Sequence, residues 1–102
     1  MMPLDRARWF EHEQITVSNT AVGLTSATFA SAKVAKISVD KAAGGYGVRY
    51  RFSTDGNPTD SVGMEMEAGD EPLVIAGAEN LNRIRFIRRD MADVQVNVLY
   101  GK

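Results

Sequence analysis

Glu65 and Glu67 stand two residues apart in Val62-Gly63-Met64-Glu65-Met66-Glu67, so on a strand their carboxylates face the same side. Such a pair suits general acid–base chemistry when an apolar pocket raises one of the two pKa values. The flanking sequence supplies no such pocket. Arg49 and Arg51, in Val48-Arg49-Tyr50-Arg51-Phe52, repeat the same spacing. If the two segments pair antiparallel, Arg49 and Arg51 lie across from Glu65 and Glu67, and each opposed pair contributes about 0.2–1 kcal/mol. A solvated ion-pair ladder is the stronger reading.

Other chemistries find less support. His12 is the only histidine, and no serine elbow or second metal-binding histidine accompanies it. Gly44-Gly45-Tyr46-Gly47 lacks the lysine and the helix of a phosphate loop and reads as a hairpin turn. Asp55, Asp60 and Asp70 do not follow the spacing of a calcium loop, and aspartate is a default turn residue. The absence of cysteine removes disulfides, thiolate nucleophiles and thiolate metal sites. We therefore expect no enzyme, no catalytic residues, no metal and no cofactor.

Binding is better represented. Arg49 and Arg51, with Arg83, Arg85, Arg88 and Arg89, place six of twelve basic residues on two segments. Were those segments neighbouring strands, their polar faces would form a basic patch for an acidic protein surface or for phosphates. Tyr50, Phe52 and Phe86 share the apolar phase, so no aromatics interleave with the arginines as base stacking requires, and nucleic acid is disfavoured. Trp9 and Phe10 either pack over the open end of the domain or reach into a neighbouring subunit. The candidate interface residues are Trp9, Phe10, Arg49, Arg51, Arg83 and Arg85. Carbohydrate remains an alternative ligand, with Trp9, Tyr46 and Tyr100 as the available stacking aromatics.

These residues need a frame. The chain has 102 residues, 44% hydrophobic and 25% charged, with a formal net charge of −1, which suits one globular domain and gives no global field for nucleic acid or anionic membrane. No apolar stretch approaches the ~20 residues of a membrane span. The start, Met1-Met2-Pro3-Leu4-Asp5-Arg6, lacks a secretory signal pattern, so synthesis in the cytosol as a soluble protein is expected. From residue 13 onward the hydrophobic period is two. Ile15/Val17, Ala35/Ile37/Val39, Val48/Tyr50/Phe52, Val62/Met64/Met66, Leu73/Ile75, Ile84/Phe86 and Val94/Val96/Val98 mark seven strands, with Thr25–Phe29 as an eighth if it pairs. Turn residues at Gly44-Gly45, Asp55-Gly56-Asn57-Pro58, Ala68-Gly69-Asp70, Ala76-Gly77 and Arg89-Asp90 separate them. The expected fold is all-β: an antiparallel sandwich of seven or eight strands, immunoglobulin-like or jelly-roll-like, over residues 13–102. Residues 1–12 form an N-terminal arm or short helix. The core is assigned to the apolar residue of each alternation, including Val62, Met64, Tyr50 and Phe52.

The ordered series Arg49-Tyr50-Arg51-Phe52, Asp55-Gly56-Asn57-Pro58-Thr59, Gly63, Ala68-Gly69-Asp70, Glu79-Asn80-Leu81, Arg85-Phe86-Ile87-Arg88 and Val94–Tyr100 resembles a group of small proteins encoded among phage structural genes. Val17–Thr25 is similar to the group's opening, and the likeness covers about residues 15–100. The element Tyr50-Arg51 with Asp55-Gly56-Asn57-Pro58-Thr59 also resembles immunoglobulin-like modules attached to chitobiase-type enzymes. The resemblance implies a virion component made in the host bacterial cytoplasm: a capsid cement or decoration protein, or a head–tail accessory. It implies capsid or head–tail proteins as partners and a homo-oligomer as the working form. A carbohydrate- or receptor-binding module of a fibre or tail is the alternative.

Overall fold

The period-two segments fold as strands, and their apolar phase is what the two resulting sheets bury between them. The computed structural model describes residues 9–25, 32–41, 44–52, 57–59 and 61–102. In chain order these form β1 (Trp9–Val17), β2 (Val22–Gly23), β3 (Val34–Val39), β4 (Gly47–Phe52), β5 (Met64–Glu67), β6 (Leu73–Ala76), α1 (Ala78–Arg83), β7 (Ile84–Arg88) and β8 (Val94–Gly101). One sheet (sheet A) has the order β1-β8-β3-β6 and the other (sheet B) β2-β7-β4-β5, with all pairings antiparallel. The pairs β1·β8, β2·β7, β3·β6 and β4·β5 are nested, as in one long hairpin rolled up on itself. That is the strand order of a jelly roll, which decides between the two sandwich types expected.

Val17, Ile37, Val96 and Val98 from sheet A meet Val48, Ile84 and Phe86 from sheet B, each within 1% of full burial. Two further side chains extend the core. Tyr100 is fully buried at one end, and α1 contributes Leu81, also fully buried. Gly77, at φ 98°, turns the chain out of β6 into α1, a conformation that only glycine adopts without strain.

Several expectations change. Trp9–His12 belong to β1, paired with Gly101, Tyr100 and Leu99, and are not an arm or a helix. Residues 1–8 of that arm lie outside the described residues, as do residues 26–29 of the eighth strand foreseen at Thr25–Phe29 and also Asp55 and Asp60. The additional strand is β2, and Thr25 itself is not in a strand. Val62 is 47% and Met64 65% exposed, because β5 is an edge strand beginning only at Met64 and Val62 is held in a lone bridge with Thr59. Tyr50 and Phe52 are only partly buried against the core. Gly44-Gly45-Tyr46-Gly47 is not a hairpin turn, since it carries the chain from β3 in sheet A to β4 in sheet B.

Four strands bound the sheets: β1, β6, β2 and β5. Three are short, with four, two and four residues in β6, β2 and β5. The long edge, β1, carries a register shift between Trp9 and Glu11. Its Glu11 and Glu13 oppose Tyr100 and Val98, two residues that point into the core. A bulge together with carboxylates on the inward phase is how natural edges resist recruiting another strand.

Candidate interaction site

Cross-strand partners point to the same side of a sheet, so the pairing registers map both solvent faces. On sheet B the outer residues form three rows: Gly47 with Glu67; Glu65, Arg49 and Ile87; Arg51, Arg85 and Gly23. β4 and β7 are neighbours, so the arginines do share one face. The charge ladder forms only in part. Arg49 faces Glu65, with Nη1 3.7 Å from the carboxylate, and also donates to the Gly63 carbonyl at 3.0 Å. Arg51, however, sits opposite Arg85, and Glu67 sits opposite Gly47. The β4·β5 register therefore takes Glu67 away from Arg51.

Glu67 goes instead to Arg89, a residue just past β7 that sequence reasoning gave no partner. Arg89 donates to Glu67 at 3.0 Å, Glu65 at 3.3 Å, Asp90 at 3.1 Å and the Gly45 carbonyl at 2.9 Å. Burial works against its charge, but the hydrogen bonds to Glu67 and Asp90 outweigh that and raise its pKa above the ordinary arginine value. Gly47 sits beneath this cluster: a Cβ there would lie 2.6 Å from the Met66 carbonyl oxygen. The Gly47 N–H donates to Asp90 at 3.0 Å, tying the start of β4 to the cluster.

Arg83 and Arg88 leave the expected patch. Arg83 lies in the last turn of α1, 4.0 Å from Glu79, and not on a strand. Arg88 opposes the buried Val48, so it takes the inward phase at the end of β7, where Nη1 donates to Asp93 at 2.9 Å. Arg85 donates from Nη1 to the Asn82 and Ile84 carbonyls at 2.9 and 2.8 Å. Its guanidinium rests over Gly23, where a Cβ would come within 2.8 Å of Nη1. Neither Arg51 nor Arg85 has a carboxylate partner among the described residues.

The outer face of sheet A is different in character. One half is polar: Gln14 donates to Asp40 and Asn97, and Thr16 and Gln95 bond to one another. The other half carries apolar residues around two basic ones, with Trp9, Gly101, Val34 and Ala76 in one row and His12, Leu99, Lys36 and Val74 in the next. The Trp9 ring covers Gly101, since a Cβ there would meet it at 2.9 Å, and Val34 is buried at 5% exposure without joining the inter-sheet core. Phe10 is 42% exposed at the bulge, with Lys102 Nζ 5.2 Å from its ring centre. Sequence reasoning missed Val74 and Leu99. The available signal was the unbroken apolar run in Leu73-Val74-Ile75-Ala76 and in Val98-Leu99-Tyr100, which marks strands covered on both faces.

The structure thus separates the six expected interface residues. Trp9 is on the outer face of sheet A with Phe10 at its edge; Arg49, Arg51 and Arg85 are on the outer face of sheet B; Arg83 is at the end of α1. Tyr100 drops out as a sugar-stacking residue because it is fully buried. Its hydroxyl donates to Glu13 at 2.7 Å, and Thr25 donates to the same carboxylate at 2.6 Å. Asp70 closes a turn by accepting from the Glu67 N–H at 2.9 Å. Among the described residues no cluster of three or more His, Asp or Glu side chains is arranged to hold a metal ion. Comparison of the chain with protein-family models, with curated proteins and with solved structures finds no match.

Proposed function

We propose that this chain is a non-enzymatic structural protein of a bacteriophage virion, working as a capsid cement or decoration protein that stabilises the head by contacts with capsid subunits. The observation that carries the reading is the cluster of apolar side chains on sheet A's outer face, beside His12 and Lys36. A half-solvated antiparallel sheet turns polar residues outward, yet Trp9, Val34, Val74 and Leu99 occupy that side here. Apolar surface gathered on one face is characteristic of protein–protein contact. The jelly-roll strand order is compatible, since that architecture serves viral capsid domains, as well as lectins. The resemblance of residues 15–100 to small phage structural proteins points the same way. Because β1 is blunted and the remaining edges are short, association runs through faces and not through strand addition.

Mass spectrometry of purified phage particles tests this reading, and the chain is expected among the virion proteins. Its absence from particles overturns the assignment. Leu99→Gln with Val74→Thr should leave the circular dichroism spectrum intact and reduce incorporation.

A second reading, a carbohydrate- or receptor-binding module of a fibre or tail, is favoured by one feature. Asn19, Thr59, Arg88, Arg89 and Asp90 line an open cleft of about 540 Å³ beside the β7–β8 turn, rich in groups that bond hydroxyls. Tyr46, half exposed, lies between Gly45 and Gly47, which both bond to the same Arg89–Asp90 pair. A saturable sugar response on a glycan array, lost in Tyr46→Ala, would replace the cement assignment.

A further inference from the structure

Arg51 and Arg85 face each other directly across β4 and β7, and like charges in that position destabilise a sheet. Their neighbours on the same face are all compensated: Arg49 by Glu65, and Arg89 by Glu65, Glu67 and Asp90. Carboxylates are therefore available on this face, and the β4·β5 register keeps them at the other end. The Arg51 side chain makes no hydrogen bond or ion pair among the described residues. Arg85 uses only Nη1, and only on the backbone carbonyls of Asn82 and Ile84. Those two bonds, with the gap left by Gly23, fix the guanidinium against β2 and leave its other donors unused among the described residues. Two charges lie together at one end of the sheet, one pre-positioned, both without an acid among the described residues.

We propose that Arg51 and Arg85 form a carboxylate-binding site that receives an acidic segment of a partner protein. A fixed guanidinium loses little freedom on binding and offers paired donors that match a carboxylate. The cross-strand spacing of the two arginines, about 5 Å between Cβ atoms, suits acids at alternate positions of an extended segment, about 6.5–7 Å apart. Protein carboxylates fit better than a nucleic-acid backbone for two reasons. A longer polyanion tracking along the face would run onto Glu65 and Glu67, and the aromatic rings of this sheet, Tyr50 and Phe86, lie on the opposite, inward phase. The site deepens the assembly reading by stating what its partner presents, but its test does not depend on particles.

The probe is a fluorescein-labelled peptide of alternating glutamate and serine, followed by fluorescence anisotropy in low salt, with labelled oligo-dT as a second arm. The wild-type protein should bind the acidic peptide, more weakly as salt rises. Arg51→Gln with Arg85→Gln should weaken binding about tenfold or more. Lys36→Gln with Lys41→Gln, an equal change in net charge elsewhere, should alter it by less than about twofold. The single variant Arg51→Gln should also melt at the same or a higher temperature, since it relieves the like-charge pair and leaves the Arg85 bonds to Asn82 and Ile84 in place. No binding, equal weakening by both double variants, tighter binding of oligo-dT through the same two arginines, or a lowered melting temperature in Arg51→Gln would each overturn the proposal. Loss of this site with retained particle incorporation separates its failure from that of the virion assignment.

Discussion

Tyr100 shows how one side chain joins the core to an edge. Its ring is fully buried, while its hydroxyl reaches Glu13 on β1, which Thr25 also contacts. Burial, reinforced by the hydrogen bond to Glu13, pushes the phenol well above its ordinary range. A raised folded-state pKa favours the neutral phenol in the native protein. The corresponding stability is fully present below the unfolded tyrosine value of about 10 and is lost as pH rises beyond it. Urea titrations across this range should show stability falling on the alkaline side, and falling less steeply in Tyr100→Phe. At neutral pH that variant should lose about 1–3 kcal/mol, because a partly buried carboxylate forfeits a donor. Sequence alone placed Val94, Val96 and Val98 in the core by alternation. It could not assign Tyr100, because the same phase on a terminal strand suits a half-exposed ring equally well.

At the scale of elements, turns and register matter more than propensity. Seven of the eight strands were legible because each holds at least two apolar residues in alternation. The eighth, β2, has two residues, too few to show a period. The helix α1 is a six-residue insertion with one buried contact, Leu81, and no repeat to betray it. Register was not legible either. The opposed pairs Arg49–Glu65 and Arg51–Arg85 follow from where Gly47 starts β4, and glycine there is demanded by packing, not by φ. Gly47→Ala should therefore cost about 1–3 kcal/mol through overpacking against the Met66 carbonyl and Glu67. Gly45→Ala, where an added Cβ meets nothing within 4 Å, should stay within about 0.5 kcal/mol. Thermal melts of the two variants decide the point.

For the whole molecule, local sequence supports an all-β sandwich but not the order of its strands. Turn residues say where the chain bends, and nested pairing depends on contacts far apart in sequence, such as Val17 with Val94 and Val34 with Ala76. The same topology gives the protein two unlike faces, an apolar patch with Trp9 on sheet A and an arginine pair on sheet B. Trp9 and the arginines had been grouped as one candidate interface, and the fold places them on opposite sides of the sandwich. If both faces make contacts, as the proposed assembly role and the proposed carboxylate site require, the chain would bridge two neighbours rather than bind one.

The pairing of Trp9 with Gly101 also bears on how the molecule is made. β1 is synthesised well before β8, and Trp9 and its partner Gly101 lie about ninety residues apart, so sheet A closes only after β8 has left the ribosome. Until then Ile15 and Val17 have no partner strand. Closure of so long a loop is slow, and refolding on the millisecond-to-second scale of about 1 ms to 1 s is expected. The molecule carries its own clock for this step. Trp9, the single tryptophan, rests on Gly101, so its emission in stopped-flow refolding should change with the joining of the first strand to the last.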